Sequence, residues 1–365
     1  MVEWKKLGDL CIIKTGKLNA NAQVEDGMYP FFTCDVKPYK IDTYAFDGEA
    51  ILISGNGNVG HLNYYIGKFN AYQRTYVLMQ FKTQSGRYLL HCLNAGFKTY
   101  IESKLKKGSV PYITLPLLFD YLIPLPSLSE QERIVGILDT FTSSIENLKA
   151  QISLRRKQYE HYRDKLLDLE GKPGVEMKTL GEIGTFIRGN GIQKNDFREE
   201  GFGCIHYGQI HARYGFTITE TISKIDESLY KRCKKAQKGD VVLATTSEDA
   251  EGVAKPVIWL GEGEVAVSGD AFIYHHNQNG KFMGYQFLTH KFMQFKVKYA
   301  TGAKVVRISG DNMAKFEIPL PSLQEQSRIV SILDEFEASI KNLEAQLKER
   351  EKQYEYYRNK LLTFE

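Results

Sequence analysis

The residues that could do chemistry in this 365-residue chain are few and scattered. Gly55-Asn56-Gly57-Asn58-Val59-Gly60 satisfies G-x-G-x-x-G after a strand-like run, the pattern that cradles a pyrophosphate at a helix start. The segment that follows, HLNYYIGKF, has no helical period, and no acidic residue closes a second strand about 20 residues on. The sequence therefore predicts a hairpin turn there. A phosphate loop of the form G-x-x-x-x-G-K-[ST] is missing. So is an N-P-P-Y or D-P-P-Y tetrapeptide, the usual cradle for an amino group in base methylation. His275-His276 lacks the helical or acidic context of a metal site and reads as a strand end or surface pair. Cys11, Cys34, Cys92, Cys204 and Cys233 form no C-x-x-C pair and have no histidine at zinc spacing, so neither a zinc site nor a disulfide framework is expected. The chain is expected to be no enzyme and to hold no cofactor or metal.

What remains are polar and basic clusters in loop-like segments. They are Lys14 and Lys17 with Asn19; Lys104, Lys106, Lys107 and Ser109; Arg188, Asn190, Gln193 and Lys194; Gln209 and Arg213; and Lys304 with Arg307. These side-chain types grip phosphates and read base edges. Any one of them fits ordinary solvated surface; mounted twice on like frames, the set favours DNA. The formal net charge is +4, with the basic excess in the globular regions, a weak pointer to a polyanionic partner.

The frames follow from an internal repeat. IPLPSLSEQERIVGILD in residues 123–170 is answered by IPLPSLQEQSRIVSILD in residues 318–365, and KQYEHYRDKLL by KQYEYYRNKLL. A weaker echo joins VEWKKLGDL (residues 2–10) to VEMKTLGEI (residues 175–183). The intervening globular regions show no comparable identity. The length suits two cores plus helical connections.

Each repeated block predicts a long helix. Leu138, Phe141, Ile145, Leu148, Ile152, Arg155, Tyr159, Tyr162, Leu166 and Leu169 step by three and four, and so do Leu333, Phe336, Ile340, Leu343, Leu347, Arg350, Tyr354, Tyr357, Leu361 and Phe364. This is the seam of a coiled coil, and the simplest partner for one seam is the other, antiparallel in a pseudo-twofold arrangement. A rod of about 32 residues would span about 48 Å. Arg155 and Arg350 interrupt the seam near mid-helix, where carboxylates or solvent must receive them. Ser127-x-x-Glu130 and Ser322-x-x-Glu325, each after a PLP, read as capping boxes.

The globular regions read as strand-rich, with EAILIS, NYYIGKF and RTYVLMQF in the first and DVVLATT, KPVIWL and AFIYHH in the second. The expected fold is α/β (mixed α+β), with two domains of partly antiparallel curved sheet, residues 1–122 and 174–317. The helical blocks are residues 123–173 and 318–365. The opening MVEWKKLGDLCIIKTG lacks a signal-peptide core and no run approaches a membrane span, so a soluble cytoplasmic protein is expected.

Two unlike globular regions, each followed by PLPxLxEQxRIVxILD and KQYxxYRxKLL and each opened by LGDL or LGEI, resemble the specificity subunit of type I restriction–modification systems, over essentially the whole chain. The resemblance implies two target recognition domains, each reading half of a split site in double-stranded DNA, and an antiparallel coiled coil that sets their spacing and docks two modification subunits. It also implies that S-adenosylmethionine, ATP and Mg serve the modification and restriction subunits. A stand-alone nuclease or methyltransferase and a scaffold that never touches DNA are the alternatives from other classes.

Overall fold

A computed structural model describes residues 2–82, 84–104, 111–302 and 305–364. The chain forms two compact units, Met1–Ala150 with Glu344–Glu365, and Gln151–Leu343. Each takes one globular region and part of each long helix.

In the first unit a six-stranded sheet runs in the order Ile12–Thr15, Thr75–Met79, Phe46–Ser54, Leu62–Ala71, Tyr29–Phe32, Tyr39–Ile41. The first four strands pair antiparallel and Tyr29–Phe32 joins Leu62–Ala71 in parallel. The central strand is buried on both faces, which is why AILI reads as a continuous apolar run. Ala50 and Leu52 pack with Phe32, Phe69 and Val77. Ile51 and Ile53 pack with Leu89, Leu93 and Phe97 of the helix Gly86–Lys104. Residues 55–60 turn between Phe46–Ser54 and Leu62–Ala71, so the glycine pattern is the hairpin turn that its sequence predicts.

In the second unit a five-stranded sheet runs Gly184–Arg188, Ala271–His276, Val241–Ala244, Lys255–Trp259, Thr217–Ile218. A second, four-stranded sheet (Ser223–Ile225, Phe202–Ile205, Val265–Val267, Lys235–Ala236) mixes parallel and antiparallel pairs. All six strand runs read from the sequence fall in these sheets; the four-stranded sheet, made of pieces of two to four residues, has no such signal.

The two echoes meet within each unit. Glu3–Lys6 pairs antiparallel with Leu122–Leu125, and Glu176–Thr179 with Glu317–Leu320, so the repeated opening segment closes a ribbon on the repeated PLP segment. The unlike region between them is held at both ends.

The long helices are Leu128–Leu167 and Leu323–Leu362, 40 residues each and so about 60 Å, longer than the expected rod. Within the first unit Phe141 stacks on Tyr357 at 5.3 Å and Lys149 pairs with Glu351 at 3.1 Å. Within the second, Tyr162 stacks on Phe336 at 5.5 Å and the Tyr159 hydroxyl meets Glu337 at 3.1 Å. Both sets run in opposite chain directions, which makes the pair antiparallel. The seam arginines meet aromatic faces, Arg155 over Phe336 at 5.9 Å and Arg350 over Phe141 at 5.6 Å, where carboxylates or solvent were the expectation. Leu138 and Leu333 belong to the cores as well as to the seam: the first is buried in a cluster with Leu89, Phe97 and the facing helix's Leu361, the second with Leu243, Phe292 and Leu166. Each capping box is half-formed: Ser127 and Ser322 accept the N–H of Glu130 and Glu325, but those carboxylates fork onto Arg133 and Arg328 instead of turning back.

A polar latch ties each globular region to the helices. Asp139 accepts from Arg87 at 2.6 and 3.1 Å and lies 2.7 Å from Nε2 of His91, whose other nitrogen is 3.4 Å from the Tyr354 hydroxyl. At the equivalent point of the second unit Asp334 accepts from Lys281 at 2.7 Å, and the Tyr285 hydroxyl lies 3.2 Å from both Asp334 and Glu337.

His276 supplies an acid-sensitive point. Its Nδ1 accepts the Gln278 N–H at 3.1 Å, which puts the proton on Nε2, a buried atom with no partner among the described residues. Burial pushes its pKa down to about 4. The unfolded chain takes up this proton first, so stability should fall as pH drops from about 6.5 to about 4, by up to about 3 kcal/mol. Denaturant titrations across that range should show a shallower slope for His276→Phe; equal slopes would contradict the assignment.

Candidate nucleic-acid interface

The candidate residues sit on a frame that the two units share. Thr15 pairs with Tyr76 in the first unit and Arg188 with Phe272 in the second. Ser54 pairs with Thr75, and Ala244 with Ala271. The Gly55 N–H donates to the Arg74 carbonyl and the Thr245 N–H to the Asp270 carbonyl, at 2.9 and 3.0 Å. Ile113 donates to the Gly55 carbonyl at 2.8 Å, and the strand Val306–Arg307 sets Arg307 antiparallel against Thr246, so the segment before each PLP repeat returns to the equivalent turn. Gly16 and Gly189 mark the same point: a Cβ would lie 1.8 Å from the Ala71 carbonyl oxygen in one and 2.3 Å from that of Ser268 in the other. Only glycine allows that approach.

On the first unit Lys14 and Lys17 are exposed at the end of the edge strand and in the loop after it. Asn19 accepts from Gln73 at 2.8 Å, which ties that loop to the turn carrying exposed Arg74. Lys104 is exposed at the C-terminal end of the helix Gly86–Lys104. Lys106, Lys107 and Ser109 lie outside the described residues, as does Lys304 in the second unit. The segment that resumes after 110 returns to the 55–60 turn, with Ile113 bonded to Gly55 and to the Tyr76 hydroxyl.

On the second unit Arg188 and Arg307, 119 positions apart, line one cleft of about 330 Å³ together with Thr246, Asp270 and Asn312. The Arg188 Nε donates to the Gly269 carbonyl at 2.8 Å, and its guanidinium reaches Asp270 only at 3.9 Å. Gln193 and Lys194 are exposed at the start of the turn Lys194–Asp196, and Arg213 is exposed just past the helix Tyr207–Ala212. Two candidates are engaged internally: Gln209 donates to Ser223 at 2.6 Å, and Asn190 accepts the backbone N–H of Lys234. Arg74, Asp270 and Tyr112 escaped the sequence reading. The signal that finds them is strand register, laid over the two echoes.

The loop flanking this cleft is pinned from below. Lys296, almost wholly buried, donates to the carbonyls of Glu251 and Val253, and burial pushes its pKa down to about 8. Among the described residues no group of His, Cys, Asp and Glu could hold a metal ion, and no helix is long and apolar enough to cross a membrane.

One frame used twice, carrying unlike polar loops, defines a tandem recognition protein. The sequence matches the family described as type I restriction modification DNA specificity domain over residues 1–155 and again over 173–351, so the chain belongs to that family, and it is a DNA-recognising specificity subunit. It is 29% identical to a putative type I restriction enzyme specificity subunit of Haemophilus influenzae, covering 100% of this chain and 96% of the relative. It is 27% identical to the EcoDI specificity subunit of Escherichia coli, covering 95% and 84%. The fold is similar to that of the type I restriction–modification S subunit from M. genitalium, with a TM-score of 0.61 at 17% identity over 100% of this chain and 97% of that one.

Proposed function

We propose that residues 1–122 and 174–317 are two target recognition domains, each reading one half of a bipartite site in double-stranded DNA. The helices set the separation of the half-sites and dock two modification subunits, and restriction subunits join that complex in the cytoplasm. Methyl transfer from S-adenosylmethionine and translocation and cleavage driven by ATP and Mg belong to those partners, while this chain supplies the address. The observation that carries the reading is the shared strand register of two units whose loop residues differ.

The exposed lysines among the candidates, Lys14, Lys17 and Lys194, supply phosphate contacts, so affinity for duplex should fall linearly in log–log terms as salt rises. Titration of the isolated chain with duplex at low and high salt should show that slope, and calorimetry should show no binding of S-adenosylmethionine or ATP. A flat salt response would favour the protein scaffold. Tight binding of either nucleotide would favour an enzyme.

A further inference from the structure

We propose that Arg188, Asp270 and Arg307 of the second unit, and Thr15, Arg74 and Tyr112 of the first, occupy the same three base-reading positions and make the two half-sites differ. The proposal rests on the bipartite reading above and deepens it to residues.

The first two positions are fixed by register. Thr15 and Arg188 end the equivalent edge strands, one residue before the pressed glycines Gly16 and Gly189. Arg74 and Asp270 are the residues whose carbonyls receive Gly55 and Thr245. The third is fixed by the PLP repeat: Tyr112 and Arg307 each precede an isoleucine, Ile113 and Ile308, and stand eleven residues before the repeated Ile123 and Ile318. The strand register is retained at the first two places, and the third keeps its spacing from the PLP repeat, while the side-chain chemistry changes at each. The edge-strand position carries a cation in one unit and a hydroxyl in the other. The turn position carries an anion in one and a cation in the other. A frame that needed these side chains for its own stability would not tolerate such exchanges, least of all the reversal of charge between Arg74 and Asp270.

The side chains are also free to act. Thr15, Arg74, Arg188 and Arg307 are exposed, and Tyr112 is 54% exposed although it is large and aromatic. The Gly269 carbonyl holds the Arg188 Nε, which orients the guanidinium while leaving its terminal nitrogens for a bidentate contact with guanine O6 and N7. The side chains of Arg188 and Asp270 are 68% and 38% exposed across their 3.9 Å gap, a weak pair that DNA can replace. Asp270 then offers an acceptor to a cytosine amino group beside the arginine fork, the order of donors and acceptors along a G·C-containing step. In the first unit the same two places offer a hydroxyl and then a cation, a different order and so a different preference.

The test uses the complex with modification subunits and maps the methylated motif genome-wide for the parent, Arg188→Lys, Arg307→Ala, Arg74→Ala and the double exchange Arg188→Thr with Asp270→Arg. The three second-unit variants should relax or change preference by about tenfold or more at positions of one half-site only. Arg74→Ala should do so in the other half-site. Arg188→Lys keeps the charge but loses the fork, so it should lose preference with an unchanged salt slope. Thermal unfolding like the parent's is expected, since all the substituted side chains are at the surface, and a variant that unfolded early would contradict the argument that the frame does not need them. Motifs and rates equal to the parent's would overturn the proposal while leaving the bipartite reading intact. Equal weakening on every sequence would overturn it too, by making these residues phosphate contacts. A parent complex whose motif is not bipartite would instead overturn the reading beneath it.

Discussion

Replacing Asp139 by alanine is expected to destabilise the first unit by about 3 kcal/mol. Its carboxylate receives two bonds from Arg87 and faces His91, whose side chain is 1% exposed. Burial holds the His91 pKa below the usual histidine range, so the ring stays neutral and needs Asp139 as an acceptor for its Nε2 proton. Without that oxygen a buried N–H and a half-covered guanidinium both lose their partner. Arg87 and Asp139 are about one-third exposed, which places the loss at the lower end of the range for broken buried pairs. Asp334→Ala should cost less, about 1–2 kcal/mol, because Glu337 remains to receive Tyr285. Hydrogen exchange should show faster opening of the helix Gly86–Lys104 in the first variant, with Gly280–Gln286 unchanged. Parent-like protection in that helix would mean that the apolar cluster alone holds it.

A seven-residue insertion in each long helix, after Ile152 and after Leu347, is expected to lengthen the unread spacer between half-sites by about three base pairs. Seven residues keep the seam in phase and add about 10.5 Å, against about 3.4 Å per base pair. Observed pairs bear on the design: Lys149 faces Glu351 in the first unit and Tyr162 faces Phe336 in the second, each pair within an antiparallel seam, so both helices must be lengthened together. A four-residue insertion in each helix is a stutter that locally unwinds the supercoil and should reduce methylation without adding a defined increment. Motif mapping of both variants beside the parent reads the spacer directly. An unchanged spacer in an active seven-residue variant would mean that the modification subunits set the separation.

Much of this fold was legible because the signals are strong and local. AILI and VVLA are unbroken apolar runs and became the doubly covered centres of their sheets. The helices were legible as repeats, but their length was not. A strict three-four seam counts only positions facing the other helix, whereas Ile134, Val135 and Ile329, Val330 widen the apolar face to pack on the globular cores. The same widening explains Leu169 and Phe364, which lie past the helix ends yet pack against those cores.

The candidate interface was legible by residue type and not by direction. Asn190 and Gln209 carry amides suited to reading bases, and the fold turns those amides onto Lys234 and Ser223. Nothing in single-residue chemistry separates them from Gln193, which stays exposed. Arg188 and Arg307 were named separately, but their shared cleft depends on the pairing of Thr246 with Arg307, between short strands of two residues each. Pairs that short leave no periodic trace in a sequence.

The central claim is that two independent readers share one frame, and the measurement that tests it most directly is methylation-motif mapping after exchange of one reader. Residues 184–315 of this chain are replaced by the matching region of a family relative, leaving the ribbon Glu176–Thr179 with Glu317–Leu320 and both helices in place. The account predicts a motif in which one half-site changes to the relative's while the other half-site and the spacer stay as in the parent. A motif altered in both halves would contradict it.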